Sequence, residues 1–284
     1  MKAPKFSYVR ATSVQHAVEL LAEHGDEARI LAGGQSLMPT LNMRLSRPKL
    51  LIDINRLTGL GEISFDGRNV HIGALTRHAE VMHAHTIVRH LPLLSQAIPH
   101  VAHVAVRNRG TFGGSVALAD PAAELPACLL ALGGRIVLQS VRGKREVAAD
   151  DYFHGLYQTA RQSDEMLIEA IIPAQPGEQR SSFKELSRRH GDFAIAGVAA
   201  CAHTTGNNLT HVRLVYFGSE VKPTLGKRAM AAAEGKTWNE DTAATVAAAL
   251  AGDLDPMDNS LGKPATKLHW QRVLTRRALD EIAA

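Results

Sequence analysis

Two short runs in this chain carry residue types suited to holding an anion. The first, Ala32-Gly33-Gly34-Gln35-Ser36, follows a brief apolar run, Arg29-Ile30-Leu31. Adjacent glycines reach positive φ and let a ligand come close to the main chain. A helix expected just after the run points its N-terminal amides at the same spot. Successive amides and a hydroxyl suit a pyrophosphate, at about 1.5–3 kcal/mol for each hydrogen bond to a charged group. A plain glycine turn accounts for one such run equally well. The run is neither a Walker loop, since Gly-Lys-Ser/Thr is missing, nor a Gly-x-Gly-x-x-Gly fingerprint.

The second run, Gly110-Thr111-Phe112-Gly113-Gly114-Ser115, offers small residues, amides and two hydroxyls again, and it follows Arg107 and Arg109. Two anion-suited runs on separate segments fit one long dinucleotide better than two unrelated turns. Other constellations are weaker. His83, His85 and His90 are close in sequence, as are His100 and His103, but nothing nearby completes a ligand set, so no metal site is expected. The two cysteines, Cys128 and Cys201, are too few for an iron–sulfur cluster or a cysteine zinc site held by this chain alone. They read as buried thiols. No side chain is singled out as a catalytic acid, base or nucleophile.

These residues need elements to position them. With 284 residues, 45% of them hydrophobic, the chain can bury the core of one large or two modest domains. The net charge is +4, but the 32 Lys and Arg are dispersed and only 5% of residues are aromatic, which argues against a nucleic-acid partner. Met1-Lys2-Ala3-Pro4-Lys5-Phe6 lacks an apolar signal core, and no run approaches the ~18 residues of a membrane span. A cytoplasmic protein is expected.

The pattern predicts a strand over 6–10, a helix capped by Thr12 or Ser13 and stopped at Gly25, a strand over 29–32, a helix over 37–45 and a strand over 50–54. Hairpins follow around Asp66-Gly67 (62–65 with 70–73) and Arg142-Gly143 (135–139 with 145–147). Helices are expected over 77–83, 91–103 and 122–132, the last with Pro121 at its first position, and a strand over 165–172. The polar stretch 173–179 marks a boundary between domains 1–176, in subdomains of about 1–57 and 58–176, and 177–284. Beyond it come antiparallel strands over 183–187, 194–202 and 209–217, then helices over 242–250 and 263–282.

Leu31-Ala32-Gly33-Gly34-Gln35-Ser36-Leu37, with Arg44, Pro48 and Asp53-Ile54 after it, resembles the FAD-binding medium subunits of molybdenum hydroxylases, the carbon monoxide dehydrogenase and xanthine dehydrogenase family. So do Arg107 to Ser115, Ala119-Asp120-Pro121-Ala122-Ala123-Glu124-Leu125-Pro126 and Phe183-Lys184-Glu185-Leu186-Ser187-Arg188-Arg189, so the likeness spans essentially the whole chain. The resemblance implies an α+β fold: a vanillyl-alcohol-oxidase-like (PCMH-type) FAD-binding domain in two α/β subdomains, then a C-terminal domain with a three-stranded antiparallel sheet and helices. It also implies roles. Ala32, Gly33, Gly34, Gln35 and Ser36 would hold the FAD pyrophosphate and ribityl region, and Thr111, Phe112, Gly113, Gly114 and Ser115 its other side. Asp120 and Glu124 would lie near the ribose or the flavin, Lys184 beside the flavin ring, and Val101 and Leu167 against the ring systems. Phe112 stands where Ile is commoner, and Gln35 where the carbon monoxide enzymes usually carry His. Phe193 and Tyr216 pack either near the flavin or in the core.

On this likeness the chain is an electron-transfer subunit, with the molybdenum cofactor on a large partner subunit and [2Fe–2S] clusters on a small one, in a dimer of heterotrimers. Electrons would leave to NAD⁺, a quinone or oxygen. A stand-alone flavoprotein oxidase or reductase of the same fold, and a binding protein for another phosphate ligand, are the alternatives.

Overall fold

The computed structural model describes residues 2–175 and 177–284. The expected boundary residue 176 and Met1 therefore lie outside the described residues.

The first unit is a three-stranded parallel sheet with Leu50–Asp53 at its centre, flanked by Ser7–Arg10 and Ala28–Leu31. The central strand is buried along its whole length, as a parallel strand covered on both faces must be. Helix Val14–His24 connects the outer strands; Ser13 Oγ accepts from the His16 amide at 3.0 Å, and Gly25 at φ 50° ends the helix. Of the two expected caps, Ser13 is the one used. The helix after the first glycine run is short, Leu37–Asn42.

The second unit is an antiparallel sheet in the order Ile63–Phe65, Asn69–Gly73, Met166–Pro173, Arg135–Ser140, Gly143–Ala148. Both hairpins form where the turn residues predict, with Gly67 at φ 96° and Gly143 at φ 114°. One face of the sheet presents Val137, Met166, Ile168 and Ile171 to the first unit. The other presents Ile136, Leu138, Ala170 and Ile172 to the helices that follow. A bulge between Leu167 and Glu169 shifts the register in the middle of the long strand.

The third unit pairs Gln179–Leu186, Ala196–Thr205 and Asn208–Phe217 antiparallel, as expected, and adds two-residue strands Thr224–Leu225 and Lys236–Thr237 against the last of them. Phe183, Ala199, Cys201, Val215 and Phe217 face the second unit and share its core. Val198, Ala200, Ala202, Leu214 and Tyr216 face the other way, toward Glu240–Ala249 and Pro264–Ala283. The polar stretch at 173–179 therefore separates the sheets in sequence while the apolar core runs across it. Tyr216 belongs to this core, its hydroxyl 3.0 Å from Thr275 Oγ1, whereas Phe193 is 68% exposed.

Several helices differ from expectation for local reasons. The stretch 91–103 breaks into Pro92–Ala97 and a single 3-10 turn, Ile98–His100, because Pro99 has no N–H to continue the ladder. Pro121 does not start a helix. Asp120 Oδ1 accepts the Ala122 amide at 2.9 Å, an Asx turn that delays the helix to Glu124–Ala131. Helices His85–His90 and Phe112–Leu118 were not foreseen.

Gly197 sits directly across from Phe217, and a Cβ there would fall 2.2 Å from the ring. Gly197→Ala is expected to cost about 1–3 kcal/mol by overpacking. A thermal melt should show the midpoint several degrees lower; an unchanged midpoint would refute this packing.

Candidate functional site

The two glycine runs meet. A Cβ on Gly33 would lie 2.3 Å from the Arg109 carbonyl oxygen and 2.9 Å from Gly110 Cα, so only glycine permits the main chains to touch here. Gly34 follows at φ 72°, a left-handed conformation that turns the chain into helix Leu37–Asn42. The first run, with Arg109 just ahead of the second, walls a cleft of about 340 Å³ that Asp53, Asn55 and Arg77 also line; residues 110–115 do not border it. Among the described residues, the amides of Gly33, Gly34, Gln35 and Ser36 donate to no backbone acceptor. Gln35 Nε2 folds back onto the Gly33 carbonyl at 3.0 Å, which leaves those N–H groups as the donors on offer.

The second run is built differently from what its composition suggests. Its diglycine lies inside the first turn of helix Phe112–Leu118, capped by Thr111 Oγ1, which accepts from the Gly114 amide at 3.1 Å. Phe112 N donates to Thr76 O, Gly113 N to Ala74 O and Ser115 N to Thr111 O. Four amides expected to face a ligand are thus already bonded. Gly113 is required because a Cβ would fall 2.6 Å from Ala74, and Phe112 is fully buried in the core. What this run presents outward is the exposed Gly114 main chain and half-buried Ser115. Both helices are short, six and seven residues, so their dipoles add little and the cleft's positive character falls to the open amides and to Arg77 and Arg109.

A second group of expected residues lies away from the cleft. Val101 and Leu167 are 8% and 4% exposed, and the Val101 carbonyl accepts from Arg107 Nη1 at 2.9 Å. Asp120 also accepts from Tyr157 Oη at 3.2 Å. Glu124 is buried at the start of its helix, where the charge of Asp120 disfavours its ionisation, and its own charge disfavours that of Glu185. Lys184, next in sequence, donates to Glu281, which also accepts from Ser182 Oγ at 2.9 Å. The His100 ring lies 5.3 Å from Phe183. None of these five residues borders the cleft.

Asn55 and Arg77 were missed by sequence reasoning. Asn55 follows the strand pair in which Leu31 aligns with Asp53, so its place beside the first run was implicit in the parallel register. Arg77 had no local signal. Beneath the second run, His78 is 5% exposed with both ring nitrogens unpartnered, and burial pushes it down to about 4, so it is a neutral imidazole at pH 7. Among the described residues, no three His, Cys, Asp or Glu side chains are grouped to hold a metal ion, and no helix is long and apolar enough to cross a membrane.

The buried carboxyls make stability depend on pH. Burial pushes Glu124 up to about 7, and burial with the neighbouring Glu124 charge pushes Glu185 up to about 8. The unfolded chain releases these protons near 4.5, whereas the folded chain keeps them to about 7 and 8. The folded state therefore binds more protons in that window, and stability falls as pH rises through it. Urea midpoints measured from pH 5 to pH 8 should decline, and less steeply in Glu185→Gln. Equal slopes in the two proteins would contradict the assignment.

Comparison with known proteins agrees with this architecture. Residues 4–175 match the FAD binding domain in molybdopterin dehydrogenase, and residues 181–282 match the CO dehydrogenase flavoprotein C-terminal domain. The chain is 48% identical over 200 residues to the 6-hydroxypseudooxynicotine dehydrogenase complex subunit alpha of Paenarthrobacter nicotinovorans, covering 70% of this chain and 68% of that one. It is 35% identical to the glyceraldehyde dehydrogenase medium chain of Sulfolobus acidocaldarius over the full length of both. Carbon monoxide dehydrogenase from Hydrogenophaga pseudoflava, in a form lacking the Mo-pyranopterin moiety of the molybdenum cofactor, superposes with a TM-score of 0.97 at 33% identity, covering 99% of this chain and 98% of that one. Quinoline 2-oxidoreductase from Pseudomonas putida 86 gives 0.94 at 36% identity, covering 100% and 98%. The chain therefore belongs to the family of FAD-binding subunits of the molybdenum hydroxylases, and is an oxidoreductase component.

Proposed function

We propose that this chain holds one FAD across the two glycine runs and passes electrons from the [2Fe–2S] clusters of a small partner subunit to an external acceptor. The observation that carries this reading is the close approach of Gly33 to Arg109, which puts the open amides of Gly33, Gly34 and Gln35 and two arginines around one cleft. That donor set fits a pyrophosphate. At about 340 Å³ the cleft takes one portion of a dinucleotide, and the rest would extend toward the second group around Val101, Asp120, Glu124, Leu167 and Lys184.

Bound FAD would supply the one- and two-electron chemistry. The chain's own residues bind and orient. Residues 33–36 would donate to the phosphates, while Thr111 caps the short helix that presents Ser115, and Phe112 and Gly113 anchor that helix to the core. Near the ring, Lys184 would offer a cation that Glu281 holds in place, and the raised Glu124 and Glu185 carboxyls would lessen the negative charge close to the flavin. No side chain is assigned as a general acid or base.

We propose residues 1–176 as the FAD-binding domain and 177–284 as the C-terminal domain. A large subunit with the molybdenum cofactor and a small iron–sulfur subunit would complete a cytoplasmic heterotrimer, paired as a dimer. The names of the relatives, subunit alpha and medium chain, fit an assembly of several chains.

Two measurements test this. The natively expressed chain should co-purify with molybdenum and iron, and alone it should retain FAD stoichiometrically, seen as flavin absorbance. Turnover of a substrate at ordinary rates by the isolated chain with FAD would instead establish a stand-alone enzyme. Gly33→Ala should lose flavin while remaining folded by circular dichroism, because the added Cβ drives the two runs apart. Full retention of FAD in that variant would show the contact is not needed for binding.

A further inference from the structure

A chain of hydrogen bonds crosses the cleft. Arg77 Nη1 donates to the Arg109 carbonyl oxygen, and Arg77 Nη2 donates to Asn55 Oδ1 at 2.8 Å. Asn55 Nδ2 in turn donates to the Ala32 carbonyl at 2.8 Å and the Leu31 carbonyl at 3.2 Å. Asp53 holds Asn55 still, its Oδ1 accepting from the Asn55 amide at 2.9 Å and from Nδ2 at 2.8 Å, while Oδ2 accepts from Tyr8 Oη. One guanidinium thus reaches the second glycine run directly and the first through a single amide side chain. The main chain at Arg77 is itself tied to the second run: it bridges to Thr111, and the next amide, His78 N, donates to the Gly110 carbonyl at 3.0 Å.

Arg77 and Arg109 bring two like charges to this junction, where the Asp53 carboxylate also lines the cleft but is engaged by Asn55 and Tyr8. Arg77 is partly buried and faces Arg109, and both effects oppose its protonation. Glu80, whose charge favours that of Arg77, accepts from the Arg77 backbone amide at 2.6 Å and makes no salt bridge with the guanidinium. Among the described residues, neither Arg77 nor Arg109 takes part in a salt bridge with a carboxylate, although both line the cleft. Two like charges held at one opening are stabilised by an anion that lies between them, and their attraction for it weakens with salt.

We propose that Arg77, fixed by Asn55, is the positioning residue that sets the spacing of the two glycine runs, and that with Arg109 it supplies the positive charge that binds the cofactor pyrophosphate. The proposal rests on the FAD reading. Arginine is needed because its planar fork serves two acceptors in different directions at once, which an ammonium does with far less geometric control.

The test is the dissociation constant of FAD from the full-length chain, measured by flavin fluorescence at low and high salt. Arg77→Gln should weaken FAD about tenfold or more and flatten the salt dependence. Asn55→Ala should weaken it severalfold with the wild-type salt dependence intact, since no charge is lost. Arg77→Lys should keep the salt dependence without recovering the affinity. A wild-type dissociation constant in Arg77→Gln or Asn55→Ala, or an undiminished salt dependence in Arg77→Gln, would overturn the proposal. Should Arg77→Gln fail to fold, Asn55→Ala and Arg77→Lys decide by the same criteria. A wild-type chain that binds no FAD would instead overturn the FAD reading; wild-type FAD binding with unaffected variants would remove only the role given to Arg77.

Discussion

The contact of Gly33 with the Arg109 carbonyl is the constraint on which the site depends. Any larger residue would hold the first parallel sheet away from the second unit at the point where both contribute to the cleft. The contact is reinforced on each side. Asn55 bonds the carbonyls just before Gly33, and Arg77 bonds the carbonyl of Arg109. Behind the second run, Gly113 N donates to Ala74 O, and Ala74 N donates to Ile168 O at the bulge of the long central strand. The cleft is therefore set by a path of main-chain bonds that leads back into the second sheet.

That sheet can serve as the frame because both its faces are apolar. One face packs on the first unit and the other on the helices and the C-terminal sheet. Phe183 and Phe217 stack at 5.3 Å within the shared core, and the C-terminal sheet also packs against the helix that begins at Glu124. The same burial that joins the units desolvates Glu124 and Glu185 and raises both above the usual carboxylate range. Packing and electrostatics have one origin at this junction. Lys184 is held on its strand by Glu281 of the last helix, which couples a residue of the second group to the far layer of the C-terminal unit.

Much of this was legible in the sequence because it depends on neighbours along the chain. Ser13 and Gly25 mark a helix by capping chemistry, Asp66-Gly67 and Arg142-Gly143 mark hairpins by the φ they require, and Leu50 to Asp53 reads as a buried strand. The glycine runs stood out as places where the backbone does something only glycine allows, and the long motifs around them named the family that the comparisons show.

The reason each glycine is there was decided by tertiary structure alone. Gly34 acts through its own φ, a property of the chain, but Gly33 acts through Arg109 and Gly113 through Ala74, which are distant in sequence. Composition suggested that both runs offer free amides. Once folded, residues 33–36 keep theirs open while residues 112–115 spend theirs on a helix turn and on the neighbouring main chain. Asn55 and Arg77 join the site for the same reason, since a hydrogen bond between side chains depends on separation in space. The sequence by itself determined the segments and their local turns; which groups remain available to a ligand was determined by what those segments touch.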